Sequence, residues 1–96
     1  MATYMIVDVN IHDVDAYEIY KSQVTPIIEK FGGEYLVRGG EMDVIQDELW
    51  SPTRMVLLKF PSRARALEFI DSAEYAPVKQ MRLDNSTGSL VVLEGI

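Results

Sequence analysis

From Tyr4 to Leu93 the apolar residues switch repeatedly between a spacing of two and a spacing of three to four, and the strand-like runs are apolar on both faces. Tyr4–Val9 alternates Met5, Val7 and Val9 against Tyr4, Ile6 and Asp8, with only Asp8 polar. That pattern belongs to a strand covered on both sides. Asn10-Ile11-His12-Asp13 breaks it, and Asp13 is placed to cap a helix. From Val14 to Phe31 the period is helical: Tyr17, Tyr20, Val24, Ile27, Ile28 and Phe31 share one face. Pro26 inside this run is expected to kink the helix or divide it, and Gly32-Gly33 to end it.

Glu34–Arg38 is a second expected strand, closed by Gly39-Gly40, which Met42, Val44 and Ile45 could extend inside 41–51. Gln46–Pro52 reads as a turn, and Arg54–Phe60 as the most apolar strand. Pro61-Ser62 starts a helix bearing Ala66, Leu67, Phe69 and Ile70, interrupted at Asp71 or Ser72. A further helical piece, Glu74–Leu83, carries Tyr75, Val78 and Met81. Asp84–Gly88 is expected to be a loop and Leu90–Leu93 the last strand.

The resulting order, β-α-β-β-α-β, is the split β-α-β pattern: an α+β fold with a four-stranded antiparallel sheet and its helices on one face. The 96 residues suit one domain spanning 1–96, and a monomer of that size covers little more than ~60% of its unfolded surface. Since the strands are apolar on both faces, the uncovered face calls for a partner. The economical partner is the same face of a second copy, a two-fold homodimer through facing sheets.

The net charge of −6 repels nucleic-acid backbones and anionic lipid, so neither is expected as a partner. With no cysteine, disulfides and thiolate chemistry are excluded. The N-terminus lacks a basic segment ahead of an apolar one, and no apolar run approaches the ~20 residues of a membrane span. These features are those of a soluble cytoplasmic protein.

Arg38-Gly39-Gly40 has the outward form of an RNA-binding RGG element and of a phosphate loop, and its context rejects both. RGG elements are repeated and basic, whereas this copy is single and the chain acidic. A phosphate loop runs from glycines into a helix N-terminus, but Glu41-Met42-Asp43 follows here. As a strand, period two places Glu34, Leu36 and Arg38 on one face and Tyr35 and Val37 on the other. Arg38 then either pairs with Asp8 or Glu34, or lines a pocket and grips an anionic group. The glycines after it allow close approach of a backbone or ligand, or form a bulge. The sole histidine, His12, rules out a multi-histidine metal site and suits a surface or capping role. Tyr17 and Tyr20 lie on the apolar helix face with hydroxyls that need partners; they are core residues or line a cleft. Trp50 is a lid over the open sheet edge or a dimer contact. Arg54, Arg63, Arg65, Lys79 and Arg82 are scattered among acidic residues, and most of them read as a solvated face.

Across its whole length the chain resembles the DUF1330 family of domains of unknown function, within the dimeric α/β-barrel, ferredoxin-like superfamily. The resemblance is carried by Tyr4 with Val7-Asp8, Tyr17, Tyr20, Gly32-Gly33-x-Tyr35-Leu36-Val37-Arg38-Gly39-Gly40 and Trp50-x-Pro52-x-Arg54. Phe60-Pro61-Ser62, Asp71-Ser72-x-Glu74-Tyr75, Arg82 and Val92-Leu93-Glu94-Gly95 complete it. Members usually carry a Glu-Gly pair before the tryptophan; Gln46-Asp47-Glu48-Leu49 stands here, which implies a differently shaped hairpin. The resemblance implies a dimer whose sheets enclose a barrel-like interior. Superfamily relatives include cofactor-free monooxygenases, haem-degrading enzymes, muconolactone isomerases and stress-responsive barrels, so the fold leaves the activity open. Haem is disfavoured, because His12 precedes the helix that supplies the ligand in such relatives, and no cofactor or metal is expected.

Two functions fit. In one, a cleft between sheet and helices holds a small anionic or enolisable metabolite. Arg38 anchors it, Asp8, Tyr20 and Tyr75 line the site, Ser72 supplies a hydroxyl, Trp50 contacts the ligand, and a carboxylate serves as base in a monooxygenase- or isomerase-like reaction. In the other, the chain is a non-catalytic metabolite-binding or protein-interaction barrel, and Arg38 makes a salt bridge across the sheet.

Overall fold

The computed structural model describes residues 1–96. The elements are β1 (Thr3–Ile11), α1 (Val14–Lys30), β2 (Glu34–Arg38), β3 (Met55–Phe60), α2 (Arg63–Asp71), α3 (Tyr75–Asn85) and β4 (Ser86–Glu94). The strands form one antiparallel sheet in the order β2-β3-β1-β4, the expected split β-α-β topology with its second helical unit in two pieces.

Local chemistry explains the boundaries. Asp13 caps α1, its Oδ1 accepting from the Ala16 N–H at 3.1 Å. At the other end Gly32 turns left-handed (φ 82°), and the N–H groups of Gly32 and Gly33 donate to Glu29 and Ile28, closing the helix with a Schellman motif. Pro26 does not divide α1. The partner its absent N–H would have served, the Ser22 carbonyl, belongs to an exposed residue, which makes the loss tolerable. Ser62 caps α2 by accepting from Arg65 N–H. Ser72 joins α2 to α3: its hydroxyl donates to the Phe69 carbonyl at 2.8 Å and accepts from Tyr75 N–H at 3.2 Å.

The helices cover one sheet face. Met5, Val7 and Val9 of β1 and Val56, Leu58 and Phe60 of β3 are buried there against Tyr17, Tyr20, Val24 and Ile28 of α1, Ala66 and Phe69 of α2, and Tyr75 and Val78 of α3. The other face carries Ile6, Met55 and Leu57, half-buried, with Val37, Val91 and Leu93 exposed.

Three expectations need correction. Residues 84–88 are not a loop. Asp84 and Asn85 end α3, and Ser86–Gly88 already pair with β1. Residues 41–51 form no strand; Ile45 and Leu49 are both 92% exposed, and the alternating Met42 and Val44 find no partner strand. Finally, β2 is not a regular two-residue repeat. Tyr35 pairs with Leu58 and Val37 with Leu57, so Leu36 is an extra, bulged residue. Residues directly opposite in a ladder share a face. Val37 therefore sits on the open face, while Arg38, opposite the buried Val56, joins Tyr35 on the helix face.

Candidate functional site

The bulge brings Arg38 to the rim of a cavity between α1, α3 and the sheet. Its volume is about 40 Å³, enough for a few waters or a small oxyanion. Its polar lining consists of Tyr17, Tyr20, Tyr35, Tyr75, Lys21, Arg38, Arg54 and Arg82, with neither carboxylate nor histidine.

The cations are placed by aromatic rings and backbone. The Arg38 guanidinium lies 4.3 Å from the Tyr35 ring centroid and donates to the Lys21 carbonyl at 3.3 Å. It pairs with neither Asp8 nor Glu34; the ion pairs of the chain are Lys21–Glu18, Lys30–Glu74 and Arg65–Glu68. Arg54 enters from the start of β3, its guanidinium 5.8 Å from the Tyr17 centroid. Gly39 makes room for it. With φ at 67°, a Cβ at Gly39 would fall 2.5 Å from Arg54 Nε. Of the second glycine pair, Gly39 alone clears space for Arg54; a Cβ at Gly40 would meet nothing. From α3, Arg82 Nε donates to the Tyr75 hydroxyl at 3.3 Å, and that hydroxyl lies 3.1 Å from the Tyr20 hydroxyl.

The phenols of Tyr17, Tyr20 and Tyr35 are donors, not bases. Burial, reinforced by the adjoining Tyr75, pushes Tyr20 far above its ordinary value of 10.0. Burial also raises Tyr17 and Tyr35, against the opposing pull of Arg54 and Arg38 respectively.

Asp8 does not line this cavity. It points to the open sheet face, where Oδ1 accepts from the Thr53 and Arg54 N–H groups (2.8 and 3.1 Å) and Oδ2 from the Trp50 indole at 3.0 Å. Burial by itself would raise its pKa, but these hydrogen bonds outweigh that and hold the carboxyl below its ordinary 3.8. Asp8 is therefore no base for the cavity; it pins Trp50–Arg54 to the sheet, helped by Val9 N–H donating to the Arg54 carbonyl. Trp50, anchored in this way, borders a separate hollow of about 410 Å³ on the open face with Ile6, Met55 and Val91. Ser72 also lies outside the cavity, occupied in the α2–α3 junction. Of the expected site residues, the structure brings together Arg38, Tyr20 and Tyr75. His12 bonds Thr87 at 2.9 Å, away from both hollows. No group of three or more histidine, aspartate or glutamate side chains stands close enough to hold a metal ion.

Arg54 and Arg82 were the residues missed, although both carried a signal. Arg54 continues the two-residue series Val56, Leu58, Phe60 that forms the buried face of β3. Arg82 lies seven residues after Tyr75 and four after Val78, on the buried stripe of α3. Their charge argued for solvent, but their spacing placed them inside.

The fold and the arrangement of the sheet define a ferredoxin-like α+β protein. The family profile described as "Domain of unknown function (DUF1330)" matches residues 2–96, and the chain belongs to that family. No curated protein matches it. Among solved structures, it is similar to RPA0582, a protein of unknown function from Rhodopseudomonas palustris, at 20% identity and a TM-score of 0.75, over 99% of this chain and 82% of that one. A dimeric ferredoxin-like protein of unknown function from Jannaschia sp. is similar at 15% identity and a TM-score of 0.73, over 99% of this chain and all (100%) of the other. SnoaB, a cofactor-independent oxygenase from Streptomyces nogalater, shares 6% identity at a TM-score of 0.71, over 99% and 93% of the respective chains. At these identities the likeness is one of fold. No helix is long and apolar enough to cross a membrane.

Proposed function

We propose that this chain is a small-molecule-binding barrel protein whose helix-side cavity takes a small anionic or enolate ligand. The supporting observation is that Arg38, Arg54 and Arg82 share one cavity without a carboxylate among its lining residues, in a chain with fifteen acidic residues. Arg54 and Arg82 are half-buried. Cations withdrawn from water normally have a carboxylate partner, and these await one from outside. SnoaB carries cofactor-independent oxygenation on the same fold, which is compatible with an enzymatic role here. Because the cavity offers no general base, such a role suits a substrate that arrives as an anion or ionises readily, with the guanidiniums stabilising its charge. The test is calorimetric titration with acetate and propionate, chloride serving as control. Saturable carboxylate binding is expected, weakened about 10- to 100-fold in Arg38→Ala and Arg54→Ala as each charge-assisted hydrogen bond is lost. Absence of carboxylate binding, with both variants merely less stable, would favour a structural role for the arginines.

The open sheet face is read as the contact with a second copy. Val37, Val91 and Leu93 are exposed there, beside the hollow under Trp50, and the similar Jannaschia protein is dimeric. Light scattering at micromolar concentration is expected to give twice the chain mass; a monomer would rule this out.

A further inference from the structure

The innermost wall of the cavity has a hydrogen-bond count that does not close. Tyr20 and Tyr75 are 7% and 2% exposed, and their hydroxyls lie 3.1 Å apart. Two phenols carry two protons, and the bond between them uses one. The Arg82 Nε–H is spent on the Tyr75 oxygen. Neither hydroxyl has a carbonyl or carboxylate partner in the protein, so the second phenolic proton lacks an acceptor. Direction follows from polarisation. A guanidinium donating to the Tyr75 oxygen makes Tyr75 the stronger donor, so its proton goes to the Tyr20 oxygen and the Tyr20 proton is left over. Burial keeps Tyr20 protonated. The array therefore runs Arg82 to Tyr75 to Tyr20 and ends in a neutral donor in the cavity that Arg38 and Arg54 also line.

From this geometry we infer that the cavity selects an anion carrying a second oxygen acceptor next to its charged group, such as a 2-oxo carboxylate or an enolised dicarbonyl, over a simple carboxylate of the same size. The inference rests on the anion-binding function proposed above: the guanidiniums hold the charged group and the spare phenolic proton of the Tyr20–Tyr75 pair takes the second oxygen. A ligand without that oxygen leaves a buried donor unpaired, which is the more expensive arrangement.

Pyruvate and propionate differ in this one oxygen and are both monoanions at neutral pH. Calorimetric titration of the wild-type protein is expected to favour pyruvate by about fivefold to tenfold. In Tyr20→Phe/Tyr75→Phe, which removes both phenolic protons, the ratio falls to about one. Tyr20→Phe alone keeps part of the preference, because it removes one proton and one acceptor together and frees the Tyr75 proton in turn. Equal affinity for the two anions in the wild type, or a preference surviving in the double variant, overturns the inference and leaves the anion site standing. If neither anion binds, the anion site itself is refuted and the inference with it.

Discussion

Gly88→Val is expected to cost the protein a large share of its stability, about 3 kcal/mol or more out of the ~5–15 typical of a small domain. Gly88 lies opposite Val9 in the ladder between β1 and β4, and a Cβ there would sit 2.3 Å from the Asp8 carbonyl oxygen and 3.1 Å from Val9 Cα. Both obstacles are backbone, so no rotamer change relieves them. The two strands must separate, and their pairing from Thr3–Glu94 to Ile11–Ser86 holds one edge of the sheet. Even Gly88→Ala meets the same atoms. Urea unfolding followed by far-ultraviolet circular dichroism is the measurement; a valine variant with the wild-type midpoint would show that the strands are not this close.

Phe69→Ala is the second substitution with a large expected effect, about 3–5 kcal/mol. Phe69 is 2% exposed and sits at the centre of an aromatic cluster. Its ring centroid is 4.3 Å from Tyr75, 5.7 Å from Phe60 and 6.1 Å from Phe31. Truncation removes contacts to α3, β3 and the end of α1 at once, and the surrounding rings cannot collapse into the space without leaving their own partners. The effect reaches the cavity too, because the Tyr75 ring that stacks on Phe69 carries the hydroxyl between Arg82 and Tyr20. Thermal denaturation is expected to show a large fall for Phe69→Ala and a much smaller one for Phe69→Leu, which fills most of the volume. Equal loss in the two variants would mean that ring stacking, and not occupied volume, sets the stability.

The architecture was legible in the sequence because its elements announce themselves by period. Tyr17, Tyr20, Val24 and Ile28 could share a face only on a helix, and Arg54 to Phe60 could be buried so evenly only in an inner strand. Features set by tertiary contacts were not legible. Gly88 lies in a stretch whose composition belongs to a turn, yet its glycine serves a close backbone approach inside a strand. The extra residue at Leu36 leaves no mark in composition, and it alone reversed the expected face of Arg38. For the site, Arg38, Tyr20 and Tyr75 were recognisable as candidates. Asp8 was mistaken for a member because a carboxylate near an arginine suggests a pair. In the structure the β1 pleat sends it to the opposite side of the sheet, where backbone N–H groups and an indole satisfy it.

The bulge in β2 bears on how such a site can change. A strand distributes its side chains by parity, odd to one side and even to the other, and a single unpaired residue flips the parity of everything beyond it. Val37 and Arg38 owe their environments to that count. A cation reaches the cavity, and an aliphatic side chain the outer surface, by the length of the chain before them and not by their own chemistry. Gain or loss of one residue at this point therefore exchanges the two without altering either, a discrete step by which related chains can add or withdraw a charge from the same cavity while the rest of the sheet keeps its register.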